Sequence, residues 1–209
     1  MCSMQMSLLA TGAARIPTDV SSVERIELGA GAWIDWAPTW LPGADAWLAR
    51  LRNDLPWRSA RRPMYDRMVD IPRLMAHFHR SDHRLPPALD KLAVPFEDHY
   101  RCAFPTIGCN WYRDGNDSVA WHADRVRTPG NSIVAIIGVG ERRPFLIRPS
   151  RGGPSRKWLV GDGDLIVLGG TIQNGWQHAV PKVRHADERI SIMIRSSEAT
   201  DQEGHRQTA

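Results

Sequence analysis

The stretch Arg189-Ile190-Ser191-Ile192-Met193-Ile194-Arg195 alternates without a break between isoleucine and larger or polar residues. A period of two belongs to an extended strand, because successive side chains point to opposite sides of it. Ile190, Ile192 and Ile194 share one face and read as core. Arg189, Ser191, Met193 and Arg195 share the other. Two arginines on an inward face need an anion or paired acids, since a buried charge without a partner is costly. On an outward face they would only meet water, and the strand by itself allows either.

Working back from this strand, short β-type runs split by Gly, Pro, Asp and Asn fill residues 104–112, 132–139, 144–148, 157–160 and 164–168. Many short strands at this density predict a sandwich or barrel. Before them the pattern differs. Residues 23–36 read as one early strand, and residues 58–73 are Arg-rich. Residues 44–55 carry Trp47, Leu48, Leu51 and Leu55 near helical spacing, with Pro56 behind them. Residues 86–100 place Leu89, Leu92, Ala93 and Phe96 on one side of a second helix. Helices come first and strands follow, without βαβ alternation. The expected class is α+β, mainly β, with a jelly roll backed by N-terminal helices.

A chain of 209 residues suits one domain. Three cysteines (Cys2, Cys102 and Cys109) make no disulfide framework, so a reducing, cytoplasmic location is expected. No apolar run approaches the ~20 residues of a membrane span. The start lacks the basic segment of a signal peptide and reads as a loose tail over 1–22, and 199–209 read as a frayed polar tail. A monomer is expected. Net charge is +4, which mildly favours an anionic partner without naming one. The charge is uneven: Arg142, Arg143, Arg148, Arg151, Arg156 and Lys157 fall in one stretch with no acidic residue. That stretch is either a solvated hairpin or a phosphate-contacting rim.

His122-Ala123-Asp124 puts an imidazole and a carboxylate at i and i+2, on one side of an extended chain. His178 follows a Gly/Asn/Gln-rich loop and begins another run. Two histidines and a carboxylate form the ligand set of a mononuclear non-haem Fe(II) oxygenase, which leaves positions open for a co-substrate and O2. Such short patterns also occur without any metal, so these residues alone leave both readings open. His77, His79, His83 and His99 form a rival cluster, but they precede the strand-rich half. Asn110 and Tyr112 also lie at i, i+2, and offer an amide and a phenol to an anion.

Taken together, Asn110-x-Tyr112-x-x-Gly115, His122-x-Asp124, His178 and Arg189-x-Ser191-x-x-x-Arg195 resemble the AlkB-type Fe(II)/2-oxoglutarate dioxygenases. The resemblance includes Met64-Tyr65-Asp66-Arg67, Pro72-Arg73-Leu74, the run from Pro144 to Pro149 and Gly163-Asp164-Leu165, and spans residues 57–197. It implies a double-stranded β-helix core over 104–197, within a catalytic domain over 23–198 whose 57–100 region supports and reads the substrate. It implies Fe(II) on His122, Asp124 and His178, and 2-oxoglutarate held by Arg189, Ser191, Tyr112, Asn110 and Arg195, with O2 as the second co-substrate. The implied reaction is oxidative demethylation of N-alkylated bases in DNA or RNA, of the 1-methyladenine and 3-methylcytosine type.

In that family an aromatic residue from the N-terminal region faces a metal-binding histidine across the base. The match places His77-Phe78 where members commonly carry Trp-Tyr, so Phe78 is the expected stacking residue and His77 its neighbour. Arg73, Arg148 and Arg151, with Arg61 and Arg62, are the expected contacts to the nucleic-acid backbone. The His77-Phe78 departure leaves an alternative, an oxygenase acting on a small molecule or protein. A non-catalytic nucleic-acid module is weakened because no ligand position is lost.

Overall fold

The computed structural model describes residues 14–64, 67–126, 132–196 and 199–200. In chain order, β1 (Glu24–Gly29) and β2 (Ala32–Ala37) precede α1 (Ala44–Asp54). Then come β3 (Arg61–Met64), β4 (Arg67–Asp70), β5 (Leu74–His79) and α2 (Pro87–Tyr100). The strand-rich half holds β6 (Thr106–Tyr112), β7 (Val119–His122), β8 (Arg125–Val126), β9 (Val134–Gly140), β10 (Arg143–Pro149), β11 (Arg156–Val160) and β12 (Leu165–Gly170). It ends with α3 (Ile172–Gly175), β13 (Trp176–Val180), β14 (Arg189–Arg195) and β15 (Ala199–Thr200).

Two antiparallel sheets build the core. The larger has the order β1-β2-β12-β9-β14-β6-β5, and the smaller β11-β10-β13-β7. Ile190, Ile192 and Ile194 of β14 point to the side of the large sheet that α1 and α2 cover. They lie in one apolar cluster with Ile137, Val139, Ile107, Trp47, Leu51, Leu92 and Phe96. Ile190, Ile192 and Ile194 are each 0% exposed, worth roughly 1.5–3 kcal/mol per side chain over exposure. The opposite side of the large sheet meets the small one. There Tyr112, Ile136, Ile166 and Met193 pack with Val119, Phe145, Ile147 and Val180. Two sheets face to face with helices behind one of them are a jelly roll with supporting helices, as the strand density predicts.

The structure corrects four expectations. Residues 23–36 are not one strand but the β1–β2 hairpin. Its turn residues Ala30 (φ 51°) and Gly31 (φ 79°) are left-handed, as a two-residue hairpin requires. Gly29 and Gly31 on either side of Ala30 are the turn signal that separates the two strands. The stretch holding His77 and His79 is not part of a helical half: β5 is an edge strand of the large sheet, paired with β6. The segment 14–22 is not loose, because Val20 is 0% exposed and the Trp40 indole donates to the Asp19 carbonyl at 3.1 Å. Ala199–Thr200 is not frayed but pairs with Arg125–Val126, while residues 1–13 and 201–209 lie outside the described residues.

Candidate active site

The strand register turns the i, i+2 pairs of the sequence into rows. On β6 and β14, Tyr112 lies opposite Arg189 and Asn110 opposite Ser191. On β5, Met75 lies opposite Asn110 and His77 opposite Gly108. The polar face of β14 therefore looks between the two sheets, into a cavity lined by Arg73, Asn110, Tyr112, Arg189, Ser191 and Arg195 on one side. Val119, His122, Phe145, His178 and Val180 line the other side.

The small sheet supplies the histidines. His178 on β13 lies directly opposite His122 on β7, with ring centroids 4.2 Å apart. The register slips between this pair and the Val180–Val119 pair. An extra residue on β7 at that point lets Val119 and His122 both face inward. His122 Nδ1 lies 2.9 Å from the Ala120 carbonyl. A carbonyl only accepts, so Nδ1 carries the proton and Nε2 keeps the lone pair. Asp124 Oδ1 sits 3.7 Å from His122 Nε2 and 3.8 Å from His178 Nε2. The donor atoms of the three residues all lie within 4.8 Å of one another, the only such group among the described residues. This 2-His-1-carboxylate set fits Fe(II).

Asp124 is gripped from two sides. Arg195 Nε lies 3.3 Å from its Oδ2, with both side chains buried. Gln173 Oε1 accepts its backbone N–H at 2.9 Å. Arg195 thus bears on the metal-side carboxylate. Gln173 was not singled out from the sequence, where it is one more polar residue in a loop.

Arg189 is the other deep charge, at 1% exposure. Its Nε donates to the Val160 carbonyl at 2.7 Å, while its two terminal nitrogens have no hydrogen-bond partner within 3.5 Å among the described residues, the Tyr112 side chain being close by. Burial pushes its pKa below the ordinary arginine value, and Tyr112 partly opposes that. Among the described residues, Asn110 Oδ1 is also buried without a partner, and its amide nitrogen meets only the Met193 sulfur at 3.5 Å. Turning this amide would aim two N–H donors into the cavity. A guanidinium fork with two unused donors fits a carboxylate bidentately. The cavity therefore fits a small dicarboxylate beside the metal ligands.

Phe78 does not reach this cavity. It is 5% exposed and packs in the helix-side cluster, because it alternates with His77 across β5. His77 is the member of that pair on the exposed, site side, and its ring approaches Gly108 from the same direction as Arg195. Arg73 is no rim residue either: it is buried, lines the cavity and donates to the Ser118 carbonyl at 3.3 Å. Arg143 is buried and donates to the carbonyls of Asp114, Asp117 and Pro181, and Arg142 pairs with Asp162 and Asp164. Both leave the basic stretch for structural work. Arg148 lies 4.1 Å over the Trp121 ring and donates to the Gln177 side chain. Arg151, Arg156, Lys157 and Arg61 are exposed, and the Arg62 side chain lies outside the described ones. Of the rival histidines, His79 bonds Ser81, His83 is exposed and His99 packs edge-on to Tyr100.

The profile of the 2OG-Fe(II) oxygenase superfamily matches residues 63–206. The chain belongs to this superfamily. Its members use Fe(II), 2-oxoglutarate and O2, as the donor set also implies. Among curated oxygenases, the chain is 31% identical over 179 residues to the alpha-ketoglutarate-dependent dioxygenase alkB homolog 3 of Rattus norvegicus. That alignment covers 75% of this chain and 60% of the rat protein, so the chain spans about three fifths of that relative. It is 24% identical to the DNA oxidative demethylase ALKBH2 of Arabidopsis thaliana, over 91% of this chain and 75% of that protein. The AlkB-type resemblance read from the motifs is borne out.

Two solved structures share the fold. One is OsALKBH1, with TM-score 0.56 and 12% identity over 83% of this chain and 100% of that one. The other is a 2OG-Fe(II) oxygenase family oxidoreductase from Burkholderia pseudomallei, with TM-score 0.53 and 18% identity over 83% of this chain and 89% of that one.

Proposed function

We propose that this oxygenase oxidatively demethylates N-alkylated bases in DNA or RNA, of the 1-methyladenine and 3-methylcytosine type. Formaldehyde, succinate and CO2 are the products, and repair of alkylation damage is the role. The observation that carries the chemistry is the buried Arg189 fork, with two nitrogens that have no hydrogen-bond partner among the described residues, in the same cavity as His122, Asp124 and His178. The substrate class rests on the similarity to alkB homolog 3 and to the demethylase ALKBH2, with the exposed basic residues of the β10–β11 hairpin in support.

His122, Asp124 and His178 would hold the iron. Bound Fe(II) with 2-oxoglutarate and O2 supplies the oxidation of an N-methyl carbon, coupled to decarboxylation of 2-oxoglutarate to succinate. The residues of the chain do the rest. Arg189, with Ser191 and Tyr112, would bind the far carboxylate of 2-oxoglutarate, and Asn110 would meet the end nearer the metal. Arg195 keeps the Asp124 carboxylate turned to the metal side. Val134, Ile136, Phe145 and Met193 wall the cavity with apolar surface and exclude water from it. His122, with 23% of its side chain exposed, marks the open side at which a base arrives. The base must leave its stack to reach that side. Arg148, Arg151, Arg156 and Lys157 attract the backbone without reading sequence. The chain acts as a monomer in a reducing compartment in this reading.

The test is mass spectrometry of methylated single-stranded DNA, duplex DNA and RNA incubated with the protein, Fe(II), 2-oxoglutarate and O2. Loss of the methyl group with formaldehyde release, dependent on both Fe(II) and 2-oxoglutarate, is expected. Consumption of 2-oxoglutarate with every methylated base left intact would sink the substrate assignment and leave the oxygenase chemistry standing.

A further inference from the structure

Asp124 stands beyond the end of β7, outside the strand ladder that aligns His122 with His178. It sits in the gap between β7 and β8, whose Arg125–Val126 pairs with Ala199–Thr200, and belongs to neither ladder. Gln173, at 7% exposure, holds its main chain through Oε1, which accepts the Asp124 N–H at 2.9 Å. Chemistry dictates the orientation of this amide, since only its oxygen can meet an N–H. Its Nε2 is buried without a hydrogen-bond partner among the described residues, so the bond to Asp124 is the polar contact that justifies burying this side chain.

Gln173 is itself mounted on a fixed support. It lies in α3, the turn that leads into β13 and His178. Thr171, just before α3, donates through its hydroxyl to the Ala30 carbonyl at 2.7 Å and through its N–H to the Gly31 carbonyl at 3.1 Å. Gly170 permits this approach: its φ is 66°, and a Cβ there would lie 2.0 Å from the Gly31 oxygen. On the far side, the Gly175 carbonyl accepts the Ser150 N–H at 2.9 Å. The turn of the β1–β2 hairpin thus braces α3, and α3 braces Asp124.

We infer that Gln173 is a positioning residue of the metal centre. It fixes the main chain from which Asp124 projects and couples that segment to the one carrying His178. Arg195 then sets the rotation of a carboxylate whose Cα is already held. Partners of this kind, one shell out from the metal, typically change metal affinity by about 10–100-fold. The inference rests on the iron-centre reading of His122, Asp124 and His178, and not on the nucleic-acid substrate.

Co(II) titration of the full chain, followed by its visible d–d absorption, tests this without turnover. Gln173→Met, similar in size but without the acceptor, should bind Co(II) about 10-fold more weakly and show an altered band. The thermal midpoint of the metal-free protein should move by only a few degrees. Gln173→Glu keeps an acceptor and should restore the wild-type band. If Gln173→Met does not fold, Gln173→Asn, too short by one methylene to span the gap, carries the same expectation. Co(II) binding by the variant equal to wild type overturns the role of Gln173 alone. So does a Gln173→Glu band identical to that of Gln173→Met. Failure of the wild type to bind Co(II) overturns the metal centre with it.

Discussion

The two faces of the large sheet bury comparable side chains to opposite ends. The helix side is mostly apolar and packed, with Ile190, Ile192 and Ile194 in the cluster beneath α1 and α2, and its one deep carboxylate, Asp35, is fully partnered by Arg25 and Tyr100. The cavity side, one residue out of phase, carries Arg189, Ser191 and Arg195. Two buried arginines make the contrast sharper. Arg143 spends its terminal nitrogens on three backbone carbonyls and serves as a structural clasp. Arg189 spends only Nε, on the Val160 carbonyl, and its terminal nitrogens have no hydrogen-bond partner among the described residues. Burial lowers the pKa of both. A fold that buries a charge and withholds its partners has reserved them for a ligand, which is the difference between scaffold and site.

Exchanging each arginine for methionine should break this comparison most strongly. Arg189→Met should weaken 2-oxoglutarate binding by roughly 3 kcal/mol or more, over a hundredfold, measured by calorimetry with Mn(II) in place of iron. The metal-free protein should melt no lower than wild type, because an unpaired buried charge has been removed. Arg143→Met should do the reverse: a lower thermal midpoint from three carbonyls left without donors, with 2-oxoglutarate affinity of the folded protein kept.

The next effect separates the two sides of β5. Phe78→Ala opens the helix-side core and should cost about 3–5 kcal/mol in urea unfolding. His77→Ala, on the exposed side, should cost under about 0.5 kcal/mol. A Phe78→Ala protein of normal stability would return Phe78 to the list of substrate contacts.

Gly108→Ala probes the cavity side more gently. The new methyl would lie 2.9 Å from His77 Nδ1 and 3.0 Å from an Arg195 terminal nitrogen, so one of those side chains must shift. A loss of about 1–3 kcal/mol is expected, with weaker metal binding where Arg195 moves off Asp124. The smallest effect is at Cys109, on the helix side, whose thiol burial pushes up to about 12. It should stay unmodified in native protein treated with iodoacetamide at neutral pH, as read by peptide mapping.

Much of the site was legible because it is written in local periods. The alternation of 189–195 assigned Arg189, Ser191 and Arg195 to one face, and i, i+2 spacing paired Asn110 with Tyr112 and His122 with Asp124. The structure brings all of these to one cavity. Phe78 was misplaced because a single-residue offset along an edge strand reverses the face, and β5 did not read as a strand. Gln173 was missed because its partner is a backbone N–H, which has no sequence signature.

The sequence by itself determined the α+β class, the positions of α1 and α2, most strands of the jelly roll and the residue types that hold a metal and a dicarboxylate, while α3 lay hidden in a stretch that reads as loop. These depend on periodicity and donor chemistry, which are properties of neighbouring residues. Only the tertiary structure decided which face of β5 meets the cavity, that Arg143 and Arg73 are buried rather than on a rim, and that Arg189 keeps two donors unused among the described residues. Those outcomes turn on what lies across the sheet, on chain segments tens of residues away, and no local pattern encodes the partner that is missing.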